Sequence, residues 1–93
     1  MEHRRETRFK PNQTATVKVL GVLAGSTLEA FVVELSGSGM RLRSKLPIPC
    51  GASIEVEVNQ TLATGSVIRC EPENGGYDVG IQVTETAAAP RSQ

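Results

Sequence analysis

Ile54-Glu55-Val56-Glu57-Val58-Asn59 alternates apolar and polar residues without a fault. Successive side chains of a β-strand point to opposite faces, so this stretch reads as a strand with one buried and one wet side. Asn59-Gln60 ends it as a tight turn and leads into a second strand from Leu62 through Cys70.

The same period extends outward in both directions. Upstream, Ala15, Val17 and Val19 alternate with Thr16 and Lys18. Leu28, Ala30, Val32 and Glu34 alternate with Glu29, Phe31, Val33 and Leu35, a strand apolar on both faces near its middle. Ser36-Gly37-Ser38-Gly39 breaks it, and Met40 and Leu42 then alternate with Arg41 and Arg43, giving a basic outer face. Pro47, Pro49 and Gly51 make the next connection. Downstream, Pro72, Asn74, Gly75 and Gly76 signal a last hairpin, after which Tyr77, Val79, Ile81 and Val83 alternate with Asp78, Gly80, Gln82 and Thr84. No stretch has helical period. Six short strands with turns between them predict an all-β, six-stranded antiparallel β-barrel, a closed form that removes exposed sheet edges. Residues 1–13 read as a flexible basic segment closed by Pro11 and Asn12, residues 14–85 as the barrel, and residues 86–93 as a disordered tail with a C-terminal helix short or absent.

Composition narrows the function classes. Ninety-three residues make one domain, and with 3% aromatics its core must be built from Val, Ile, Leu and Ala. Ten basic residues balance ten acidic ones, which argues against a protein that coats nucleic acid. Only Phe9, Phe31 and Tyr77 are aromatic, too few for a platform that stacks single-stranded bases. No apolar run approaches the roughly 20 residues of a membrane-spanning helix, and Met1-Glu-His-Arg-Arg is not a signal peptide. A cytoplasmic protein with no membrane insertion is expected. Cys50 and Cys70 lack CxxC spacing and read as buried small hydrophobes; with His3 they fall short of a zinc site.

Catalysis finds no footing. With one histidine near the chain start, no Ser–His–Asp or Cys–His set can be assembled. Glu55 and Glu57 share the wet face of their strand, where they serve solubility. Ser36-Gly37-Ser38-Gly39 lacks the lysine of a phosphate-binding loop. A non-enzymatic protein is predicted.

Two features remain. Arg4-Arg5-Glu6-Thr7-Arg8 places three guanidiniums in five residues. Such groups grip phosphates bidentately, keep their charge at any pH, and match the O6/N7 edge of guanine. The plainer reading is a solvated basic segment. Glu34-Leu35-Ser36-Gly37-Ser38-Gly39 lies at a strand end, where glycines permit positive φ and close approach of a ligand. Glu34 can accept from N–H donors of a base, and the serine hydroxyls can donate or accept. Its plainer reading is a turn between two strands.

Taken together, in this order, the two features resemble the PilZ domain, a bacterial receptor module for cyclic di-GMP. Arg4 and Arg8 match the family's RxxxR motif. Ser36 and Gly39 match its [DN]xSxxG motif, with Glu34 in the acidic or amide position. The likeness continues through Met40-Arg41-Leu42, Gly51 and Gly80-Ile81-Gln82-Val83, and so covers nearly the whole chain. The resemblance implies a barrel whose N-terminal loop folds across its surface, with cyclic di-GMP between that loop and the serine–glycine strand end. Carried over, Arg4 and Arg8 would be the principal clamps and Arg5 an auxiliary for phosphate or stacking. Glu34, Ser36 and the Gly39 backbone would frame the base. Arg69 lies where some members place a Trp or Arg beside the ligand, and would supply a cation–π face. No cofactor is implied beyond this ligand; a downstream protein partner is.

One residue departs from the pattern. Glu34 adds a methylene to the family's Asp or Asn, and a misplaced buried hydrogen bond costs on the order of 1–3 kcal/mol. A second reading follows, in which the barrel has lost the nucleotide and docks a protein, as in pilus or motility systems.

Overall fold

The computed structural model describes residues 13–21 and 27–88. Six strands follow one another: β1 (Gln13–Val19), β2 (Thr27–Leu35), β3 (Gly39–Ser44), β4 (Ser53–Val58), β5 (Thr61–Glu73) and β6 (Gly76–Ala88). All neighbours are antiparallel and the sheet closes as β1-β2-β3-β6-β5-β4, with β1 returning to β4. The expected barrel is therefore the observed one, and among the described residues there is no helix.

Alternation builds the interior. Val17, Val32, Leu42, Ile54, Val56 and Val79 are fully enclosed, with the intervening residues on the outer side of the barrel. Burial of one such side chain contributes about 1.5–3 kcal/mol. Ile48 enters the core from the β3–β4 connection. No aromatic ring is fully buried among the described residues; Tyr77 only packs against the core edge, and Phe31 is exposed.

Two connections are two-residue turns with both centres at positive φ. These are Asn59 and Gln60 (50° and 72°) between Val58 and Thr61, and Asn74 and Gly75 (44° and 80°) between Glu73 and Gly76. Such mirror-image turns follow the right-handed strand twist and so fix hairpin register.

Three residues interrupt the ladders as bulges. Val32 opposes Leu42 but Glu34 opposes Arg41, leaving Val33 extra in β2. Val67 opposes Ile81 but Arg69 opposes Gly80, leaving Ile68 extra in β5. Thr64 opposes Glu85 and Gly65 opposes Val83, leaving Thr84 extra in β6, where its hydroxyl donates to the Thr64 carbonyl at 3.0 Å.

Three expectations need correction. Cys50 is exposed rather than buried, because it sits at the reversal before β4 beside Gly51 (φ 90°); Cys70 is half-buried. The segment from Thr86 was expected to be a disordered tail, yet β6 continues to Ala88, because the long β5 provides partners as far as Thr61. The glycines of the Ser36–Gly39 bend do not take positive φ; among the described residues Gly21, Gly51 and Gly75 do.

Candidate functional site

The bulges decide where the charged residues point. Strict alternation from Val32, whose side chain is wholly inside, would send Glu34 into the core. The extra Val33 shifts the phase, and Glu34 emerges on the outer surface opposite Arg41. Ile68 does the same for Arg69, which would otherwise follow Val67 inward. Bulges re-aim side chains in this way, and here two of them turn one acid and one base to the same side of the barrel.

Between these residues lies a shallow depression of about 210 Å³ lined by Glu34, Ser36, Gly39, Arg41, Ile68, Arg69 and Gly80, with Met40 and Ile81 beneath. Four residues singled out from the sequence, Glu34, Ser36, Gly39 and Arg69, thus share one concavity although they come from β2, the bend, β3 and β5. Arg4, Arg5 and Arg8 lie outside the described residues.

The bend is tied at both ends. The Ser36 amide donates to the Gly39 carbonyl at 2.9 Å, and the Val83 amide donates to the Ser38 carbonyl at 2.9 Å. The Ser36 hydroxyl makes a long contact of 3.4 Å to the Gly39 carbonyl. Gly39 takes no positive φ, and a Cβ there would stand 3.5 Å from the Ser36 hydroxyl oxygen, an ordinary contact.

A row of alternating charge crosses the site. Arg41 donates from Nη1 to Glu34 Oε1 at 3.1 Å and from Nε to Asp78 Oδ1 at 3.1 Å. Arg69 donates from Nη2 to Asp78 Oδ2, also at 3.1 Å. Burial on its own would push the Asp78 carboxyl up; hydrogen bonds from Arg41 and then Arg69, with their charges, bring it below the ordinary carboxylate range. Asp78 in turn raises the Arg41 guanidinium further above neutrality, with Glu34 adding to it. Two carboxylates and two guanidiniums leave this row without net charge. A dianion entering here must draw most of its attraction from elsewhere.

Sequence reading missed both Arg41, read only as part of a basic outer face, and Asp78, read only as an alternating residue of the last strand.

A larger groove of about 630 Å³ runs beside Leu28, Phe31 and Leu46. It contains none of the anticipated residues, and Arg43 in its wall is already engaged by the Glu73 carboxylate and carbonyl and the Asn74 carbonyl. Its size suits a ligand pocket, but the four residues singled out from the sequence converge on the smaller depression. Among the described residues no cluster of three potential metal ligands exists, and no helix is long and apolar enough to cross a membrane.

The family model of the PilZ domain matches residues 2–93, essentially the whole chain. The chain belongs to the PilZ family. No curated protein and no solved structure matches it. PilZ domains are binding modules for cyclic di-GMP rather than enzymes. In this PilZ barrel Glu34, Ser36, Gly39 and Arg69 all line the depression. The departure from the family's pattern, Glu34, is also the residue bound to Arg41.

Proposed function

We propose that this PilZ domain is a receptor for cyclic di-GMP, with Arg4 and Arg8 clamping the ligand against Glu34, Ser36, Gly39 and Arg69. The observation that carries the reading is the convergence of the last four residues on one depression. Arg5 assists at a phosphate or by stacking. Chain geometry supports the role of the arginine segment. Gln13 pairs with Val32, two residues before Glu34, so the chain enters β1 beside the strand end that carries Glu34. At ~3.5 Å per extended residue, Arg8 reaches up to about 17 Å from Gln13 and Arg4 up to about 30 Å. The missing positive charge of the depression is then supplied by these arginines, in a cytoplasmic protein that passes the signal to a downstream protein partner.

Calorimetric titration with cyclic di-GMP tests this. Heat is expected from the wild type and none from Arg4→Ala/Arg8→Ala. No heat from either would establish the second reading, a barrel without its nucleotide that acts by docking a protein. One observation favours that alternative: the Glu34 carboxylate, which should receive a guanine, already holds Arg41.

A further inference from the structure

We propose that Asp78 is the positioning residue of this site, holding the Arg69 guanidinium flat across Gly80 so that its open face receives a base. The inference rests on the receptor reading above and adds a residue to it.

Asp78 and Gly80 lie two apart on the outer face of β6, which runs between β3 and β5. Arg69 is the direct cross-strand partner of Gly80. A Cβ built on Gly80 would be 3.5 Å from Arg69 Cβ and 3.6 Å from both Cζ and Nη2. With Cβ, Cζ and Nη2 all within contact range of that point, the side chain folds back over the glycine, so that one side of the guanidinium rests on the barrel. With 44% of the side chain exposed, the other remains open in the wall of the depression, next to Ile68.

An arginine has several rotatable bonds, and an unrestrained one loses rotamer freedom on stacking. The bond from Nη2 to Asp78 Oδ2 removes that freedom in advance. Asp78 is itself fixed by Arg41 through its other oxygen, and its side chain is only 13% exposed beneath the two cations. A carboxylate is required because both oxygens must accept. An asparagine offers one acceptor and would present N–H donors to the second arginine.

The test is a double-mutant cycle on cyclic di-GMP affinity using Asp78→Asn, Arg69→Ala and the combination. Asp78→Asn is expected to weaken binding about tenfold, and to have no further effect once Arg69 is alanine. Full additivity of the two losses would overturn the proposal. In the ligand-free protein, ¹⁵N spectra of the guanidinium should show slow rotation of Arg69 in the wild type and fast rotation in Asp78→Asn. Fast rotation in the wild type would overturn the positioning role even if nucleotide binds. Slow rotation without nucleotide binding would instead remove the receptor reading, and with it the stacking role. Gly80→Val guards against a misfolded Asp78 variant. Its branched side chain crowds Arg69, whose Cβ, Cζ and Nη2 lie 3.5–3.6 Å from the first added carbon, and it should weaken binding to the same extent as Asp78→Asn; wild-type affinity in this variant would overturn the proposal.

Discussion

Glu34 and Arg41 are direct partners across β2 and β3, and their side chains meet at 3.1 Å. Arg41 has a firmer anchor in Asp78, so it does not depend on Glu34 for its place. The pair instead restrains Glu34, drawing one carboxylate oxygen away from any base above the depression.

Glu34→Asp should therefore release the acid from Arg41 and return it to the length usual in the family. Affinity for cyclic di-GMP is expected to rise about tenfold, the equivalent of one recovered hydrogen bond. Calorimetry on the two proteins reads this directly, and equal affinities would show that carboxylate length is not limiting.

Acid should weaken the barrel through Asp78. Its carboxyl titrates below the ordinary range in the folded protein, so the folded state binds this proton less readily than the unfolded chain does. The stabilisation is complete above the unfolded value of about 3.9 and is lost as pH falls through the folded one. Urea midpoints of the wild type and Asp78→Asn should differ at neutral pH and converge on acidification below about pH 4.

Gly65→Ala should destabilise the barrel by about 1–3 kcal/mol. Its Cβ would overlap the Gln82 carbonyl oxygen and approach Val83 Cα to 3.0 Å, at the bulge where β6 carries Thr84 as an extra residue. The neighbour is backbone inside a paired ladder and cannot turn aside. Urea denaturation measures the loss.

Gln60→Gly should have the opposite sign. Gln60 holds φ at 72° in a two-residue turn, a conformation that costs a side-chain-bearing residue about 1–2 kcal/mol. Part of that gain is offset by the greater freedom of glycine in the unfolded chain, leaving a stabilisation of about 0.5–1 kcal/mol. Thermal denaturation of the variant is the check.

The fold was legible because alternation is local. Ile54, Val56 and Val58 announce their burial by spacing alone, and turns such as Asn59-Gln60 separate one run from the next. What alternation does not carry is the point at which its phase slips. By spacing Glu34 belongs with Val32 and Arg69 with Val67, and nothing in Val33 or Ile68 marks them as the extra residues that turn both charged groups outward. The motif residues Ser36 and Gly39 could be found by family likeness, although the glycine takes no positive φ. Asp78 escaped notice because its importance arises from neighbours on two other strands, a relation that exists only once β6 lies between β3 and β5. Cys50 misled because average burial of a residue type says nothing of a chain reversal.

The late insertion of β6 between β3 and β5 has a consequence for biosynthesis. Glu34, Ser36, Gly39, Arg41 and Arg69 are all translated before the strand bearing Asp78 and Gly80, and the barrel cannot close until that strand arrives. A nascent polypeptide halted anywhere short of β6 holds most of the recognition side chains but no surface on which to array them. Only ribosomes that have passed this segment release a chain in which Glu34, Ser36, Gly39 and Arg69 share one depression.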